Sequence, residues 1–262
     1  MSFISLLPFY WMVVSVLKTG PEIQSVNIVW FPSNPQWLNF IAGAYYMVPP
    51  VQRALLNSAF VYGSHTVLLL LASSLTGFVL AKYDFKGKQG IFFWIVSQLT
   101  IPGFIGLIPS YILMTWFHWV GTYWSLIIPG LFSAYSIFLM RQYIITIPDD
   151  LLDAARLYGC SELGLFWRIV LPLSKPALAA VGLINFVWGW NDFLWPMLMI
   201  SDRQSYTVQQ AIAGLWDVKD NVNALPLVAA NVVIAAIPLI ILTVITSKHL
   251  IKGWTGLSYA KR

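Results

Sequence analysis

The residues able to do chemistry are few in this chain, and their spacing excludes more than it offers. The three histidines, His65, His118 and His249, lie far apart, and no H-E-x-x-H pair or other second ligand falls at helical spacing from any of them. The G-x-x-x-x-G-K-[ST] pattern needed to cradle nucleotide phosphates does not occur. Cys160 is the single cysteine, so an internal disulfide is excluded. No nucleophile sits beside a base, and no carboxylate pair suited to acid and base work is visible. One acid stands apart. Asp192 lies in an otherwise apolar stretch, where burying a charge costs about 3 kcal/mol or more, so it must face water or a bundle interior. Trp188, Trp190, Asn191 and Trp195 surround it, and sugars are held by aromatic faces together with hydrogen-bonding groups. Trp188, Trp190, Asn191 and Asp192 are therefore candidates for lining a solute path. The plainer alternative makes Asp192 a polar residue near the outer end of a helix.

The elements that carry these residues follow from where charge is missing. Charged residues make up 10% of the chain, apolar residues 58%, and the mean hydropathy is +0.73. No soluble fold of this size needs that composition. A membrane span needs about 20 apolar residues. Residues 54 to 81 carry no Asp, Glu, Lys or Arg, and neither do residues 89 to 140, a run long enough for two helices. Further uncharged stretches occupy 2 to 17, 176 to 191 and 221 to 247. Six spans are expected, roughly 2 to 17, 54 to 81, 91 to 117, 123 to 140, 174 to 200 and 226 to 247. The first lacks a basic flank ahead of it and an A-x-A-like site after it, so it reads as a retained span rather than a cleaved signal. His65, Gln98, Asn185 and Asn231 fall inside spans, where a lone polar side chain usually bonds to a neighbouring helix. Met197, Met199 and the tryptophans fit packing and an interfacial belt.

Lys and Arg fix the orientation, because positive loops are retained in the cytoplasm. One face collects Lys82, Lys86, Lys88, Arg141, Arg156, Arg168, Lys175, Lys248, Lys252, Lys261 and Arg262, and the other only Lys18, Arg53, Arg203 and Lys219, a bias of eleven to four. Both termini and residues 141 to 175 are expected inside. The pI of 9.3 then reflects topology, and no aromatic-interleaved basic patch suggests nucleic acid. Residues 18 to 52, punctuated by five prolines, form an extracytoplasmic segment. The expected organisation is 1–52 for the first helix and that segment, 53–250 for a transmembrane domain, and 251–262 for a cytoplasmic tail.

The inside stretch 144 to 175 is too polar at regular intervals to span. Pro148 suits a first helical position, Asp149, Asp150 and Asp153 favour the positive end of that helix, and Gly159 is placed to end it. Ser161 can cap a second short helix running to Ile169, with Leu171-Pro172 expected to turn the chain back toward the membrane. Two short amphipathic helices around a glycine turn offer an apolar knob for a partner's groove.

That segment resembles the cytoplasmic loop of ABC importer permeases. Asp153-Ala154-Ala155, then Gly159 after three intervening residues, and an apolar run ending in Leu171-Pro172 match the family's spacing, with Asp153 in place of Glu, Tyr158 in place of Asp and Cys160 in place of Ala. The likeness is closest to the carbohydrate-importing branch, of maltose and glycerol-phosphate type. Pro8-Phe9-Tyr10-Trp11-Met12, Leu56-Asn57-Ser58, Ile101-Pro102, Ile108-Pro109, Phe138-Leu139-Met140-Arg141-Gln142 and Trp190-Asn191-Asp192-Phe193-Leu194-Trp195-Pro196 carry it, almost to the end of the chain near Gly253. The resemblance implies an all-α polytopic bundle of about six transmembrane helices, with a coupling loop between the fourth and fifth. It also implies that ATPase coupling rests on Asp153, Ala154, Ala155, Arg156, Leu157, Gly159, Leu171 and Pro172. The implied partners are a second permease subunit, two ATP-binding subunits that carry the ATP and Mg, an extracytoplasmic solute-binding protein and the bilayer. No cofactor is expected on this chain. A membrane enzyme and a self-sufficient secondary transporter or channel are the competing classes, and neither accounts for a docking loop.

Overall fold

The computed structural model describes the backbone of residues 2–215 and 221–259 and the side chains of 5–215 and 221–247. Lys219, Lys261 and Arg262 lie outside the described residues, as do the side chains of Lys248, His249 and Lys252. Every regular element among the described residues is helical. In chain order they are α1 (Ser2–Leu17), α2 (Gly20–Gln24), α3 (Leu38–Tyr46), α4 (Val51–Lys82), α5 (Lys88–Ser97), α6 (Leu107–Trp116), α7 (Trp124–Ile127), α8 (Ala134–Ile145), α9 (Asp149–Leu157), α10 (Glu162–Leu165), α11 (Leu171–Leu173), α12 (Lys175–Trp190), α13 (Leu194–Met199), α14 (Val208–Ala213) and α15 (Leu225–Tyr259).

Two unbroken helices are long and apolar enough to cross a bilayer, over Val51–Lys82 and Val222–Ser247. Two bent pairs of helices add up to two more spans, and Ser5–Leu17 is a shorter apolar helix. The breaks differ from the expected continuous spans, and each has a local cause. The stretch 91 to 117 is split into segments 99° apart. Pro102 drives Ile101 into an extended backbone (φ −86°, ψ 121°), which no helix can pass through. The stretch 123 to 140 is interrupted after α7, where Gly130 takes φ +81°, and restarts at α8 with Ser133 accepting the N–H of Ser136. The stretch 174 to 200 ends its first helix at Trp190 and begins again at Leu194. The helix expected to stop at Ser247 continues as α15 through residues assigned to a tail. Residues 18 to 52 are also more regular than their prolines suggest, because they contain α2 and α3.

The chain divides into two compact units, residues 1–61 with 190–241, and residues 62–189 with 242–262. In the first, side-chain amides bond to backbone carbonyls. Asn39 Nδ2 donates to the Val16 carbonyl at 2.8 Å, Asn57 Nδ2 to the carbonyls of Gln204 and Tyr206 at 3.0 and 2.9 Å, and Asn231 Nδ2 to Gly43 at 2.9 Å. Ser58 Oγ accepts the N–H of Val208 at 2.8 Å. Lys18, fully buried, places its ammonium 3.7 Å from the centre of the Trp11 ring.

In the second unit the core consists of Leu69, Phe78, Met140, Ile144, Ile147, Leu152, Leu165, Phe166, Val170 and Val181. It joins α4, α8 and α12 to the helices of the 149–173 stretch. Gly77 lets α4 and α8 approach closely, since a Cβ there would lie 2.9 Å from the Arg141 backbone nitrogen. His65 bonds through Nδ1 to the Ile127 carbonyl, and Asn185 Nδ2 donates to Ser136 Oγ and the Val181 carbonyl.

Candidate functional site

The stretch 148 to 173 folds as two helical arms around Gly159. Pro148 stands one place ahead of α9 (φ −59°, ψ 136°), and Asp149 and Asp150 occupy the first turn, where the helix dipole favours anions. At the other end Gly159 takes φ +81°. The N–H groups of Gly159 and Cys160 bond back to the carbonyls of Arg156 and Ala155 at 2.9 and 3.0 Å, which closes the helix in a Schellman turn. A residue with a Cβ resists that left-handed backbone, so glycine is favoured there by conformation and not by crowding, as nothing lies within 4 Å of where its Cβ would be.

The second arm starts at Ser161, whose Oγ accepts the N–H of Gly164 at 3.2 Å. It does not end at Leu171-Pro172. Residues 166–170 form a π turn in which the Leu171 N–H reaches the Phe166 carbonyl, and the helix runs on through Pro172 into α11. The sharp change of direction, 76°, comes instead between Leu173 and Lys175.

A polar network holds the arms together. Arg156 Nε and Nη2 donate to the two carboxylate oxygens of Glu162 at 2.9 and 3.1 Å, and Nη1 donates to Asp153 at 2.7 Å. The Tyr83 hydroxyl donates to the same Glu162 carboxylate. Lys82 Nζ, on a side chain only 4% exposed, donates to the Ile147 carbonyl and to Asp149 at 2.7 Å. The hydrogen bonds from Arg156, then from Tyr83, hold the Glu162 carboxyl below its ordinary range. Bonds to Glu162 and Asp153 push the Arg156 guanidinium further up. Lys82 holds Asp149 low, and burial first and Glu162 second push the Tyr83 hydroxyl up.

The arms present an apolar tip. Leu152 is buried beneath α9, whereas Leu157 and Tyr158 are 89% and 93% exposed, and Leu151, Leu163 and Trp167 are also exposed. Asp153 and Ala154 are exposed, and Ala155 and Arg156 are half-buried. Leu171 is half-buried and Pro172 exposed.

The expected path residues separate. Trp188, in the second unit, is exposed, with its ring 5.6 Å from that of Tyr135. Trp190, in the first unit, is 1% exposed and its indole N–H donates to the Ala235 carbonyl at 3.2 Å, so it packs inward. Asn191 is exposed, its Oδ1 3.4 Å from Gln209 Nε2. Asp192 is half-buried, and its carboxylate accepts the N–H of Trp195 at 3.4 Å. A cleft of about 390 Å³ in the first unit, between α13 and α14, is lined by Phe193, Met197, Ser201, Tyr206 and Gln210. Among the described residues no group of three His, Cys, Asp or Glu side chains could hold a metal ion.

This helical arrangement recurs in a solved bacterial ABC transporter involved in the import of the acidic polysaccharide alginate, with a TM-score of 0.82 at 21% identity over 94% of this chain and 91% of that one. Residues 73–256 match the family model of the binding-protein-dependent transport system inner membrane component. The chain belongs to that family. The permease is 31% identical to the arabinooligosaccharides transport system permease protein of Halalkalibacterium halodurans, over 97% of this chain and 91% of the relative. It is 29% identical to the sn-glycerol-3-phosphate transport system permease protein of Yersinia pestis, over 95% and 90%. It is thus a multi-pass membrane permease subunit of an ABC importer. Lys82, Tyr83 and Glu162 were not legible as a group from sequence. The only local signal was the pairing of a cap, Ser161, with an acid beside it.

Proposed function

We propose that the permease supplies one part of a carbohydrate or polyol path through the inner membrane and takes its energy from ATP-hydrolysing subunits that dock on residues 148–172. A second permease subunit, two ATPase chains holding the ATP and Mg, and an external solute-binding protein complete the importer, with both termini in the cytoplasm. No catalytic residue is assigned to this chain. The observation that carries the reading is the exposed Leu157-Tyr158 tip, held rigidly by the Gly159 turn and the Arg156–Glu162 pair. Small, exposed Ala154 allows close seating of a partner groove on α9, small Ala155 lets the helix sit down on the core beneath it, and the acid Asp153 stays with the arms through Arg156. Within the membrane, Asn191 and Asp192 are assigned to solute contact, with Trp190 as their packed support and Trp188 as a separate aromatic face. Relatives named for arabinooligosaccharides and for sn-glycerol-3-phosphate favour a hydroxylated cargo.

Gly159→Asp tests the docking role. Aspartate tolerates a left-handed backbone better than most residues, so the turn survives while a charge enters the tip. Uptake by the assembled importer should be abolished with the subunit still in the membrane. Normal uptake by that variant overturns the docking role.

A further inference from the structure

The two residues that close α4, Lys82 and Tyr83, each reach one arm of the docking loop. Lys82 meets the start of α9 through Asp149 and the Ile147 carbonyl, and Tyr83 meets the start of the second arm through Glu162. Arg156 closes the figure by forking onto Glu162 while its third nitrogen holds Asp153. A bidentate guanidinium and carboxylate pair fixes orientation as well as distance, so the arms have little freedom to pivot on each other. Apolar contacts back the polar ones. The Phe78 ring lies 5.3 Å from Tyr83 and 5.8 Å from Phe166, and Phe78 shares a core with Leu152 and Leu165. The Lys82 ammonium is buried, so separating it from its acceptors strands a charge. By contrast, the covalent exit from the loop into α12 passes a 76° bend.

We infer that Lys82, Tyr83 and Glu162 are positioning residues that fasten both arms of the loop to the inner end of α4, so that α4 moves with the loop as one body during transport. The inference rests on the docking role of residues 148–172 proposed above. It makes a long helix that is not a sequence neighbour of the loop the receiver of the motor's displacement.

The test uses the complete importer in proteoliposomes. Tyr83→Phe removes one hydroxyl and Glu162→Gln one charge, and neither should lower the amount of subunit in the membrane. Each is expected to cut uptake by about tenfold while ATP hydrolysis continues, which is the signature of lost coupling rather than lost fold. In a Cys160→Ser background, spin labels at exposed Val79 of α4 and Asp150 of α9 should keep one separation with and without ATP in the otherwise unaltered complex, and two separations in Glu162→Gln. A label separation that shifts by several ångströms on ATP binding in the unaltered complex overturns the inference, as do wild-type uptake rates in both variants. Gly159→Asp is run alongside. If it transports normally, the docking reading itself has failed. If it is blocked while the Tyr83 and Glu162 variants transport, only the fastening to α4 is wrong.

Discussion

The carboxylate of Asp192 accepts the N–H of Trp195 and so meets a donor left open where the helix restarts after Asn191. That bond explains why an acid is tolerated in an apolar stretch, and it competes with the solute-path assignment. The two roles separate by substitution. Asn keeps the accepting oxygen and removes the charge, while Ala removes both and costs about 1 kcal/mol of cap. If Asp192 faces the path, Asp192→Asn should lower uptake, with membrane levels and thermal stability unchanged, and Asp192→Ala should lower both. Normal uptake kinetics in Asp192→Asn would leave capping as the whole role. Trp190 teaches a related lesson. In sequence it is one of three tryptophans around an acid, and only packing tells that its ring is buried with its N–H on the Ala235 carbonyl while Trp188 is exposed.

The two-armed loop is the element in which local rules and tertiary packing agree. Its caps, glycine turn and acidic first turn follow from side-chain types at fixed offsets, so they were legible in the chain. The π turn and the fit of Pro172 inside a continuing helix were not, because a proline after an apolar run signals a stop just as readily as a first turn. Nor was the network to Lys82 and Tyr83, which are separated in sequence from Asp149 by α5 to α8 and from Glu162 by α9 as well. The electrostatics give the loop a pH dependence of definite sign. Lys82 holds the folded Asp149 carboxyl, and Arg156 with Tyr83 the folded Glu162 carboxyl, below the ordinary carboxylate range, so their contribution is full above that range and is lost as pH falls through the folded values. Burial and Glu162 raise the Tyr83 hydroxyl above the ordinary phenol range, so its contribution is full below that range and is lost as pH rises through the folded value. Backbone amides of residues 149–165 should therefore be best protected from hydrogen exchange between these limits and open at either extreme before the core helix α4 does. Uniform protection of the loop down to pH 3 would remove the carboxylates from this account.

At the scale of the whole molecule, the absence of charge locates the apolar stretches, and charge bias gives them an expected orientation, but neither reports whether a stretch is one helix. The Ile101-Pro102 and Gly130 breaks fall inside one uncharged run and the Asn191-Asp192 break closes another, places where hydropathy does not mark the end of a helix and backbone chemistry does. Orientation is the part most open to a direct measurement. On the expected six-span topology, eleven of the fifteen Lys and Arg residues share a face with residues 148–172, which predicts that this face is cytoplasmic. Leu157→Cys in a Cys160→Ser background puts one thiol at an 89% exposed position on the loop tip. A membrane-impermeant maleimide should modify it in inside-out vesicles and leave it untouched in intact cells. Because the same tip is assigned to docking, adding the ATPase subunits to stripped vesicles should then slow the modification. Labelling from outside would invert the topology and remove the docking loop from the side where ATP is hydrolysed, whereas labelling from inside without protection would keep the topology and move the motor's contact elsewhere on the arms.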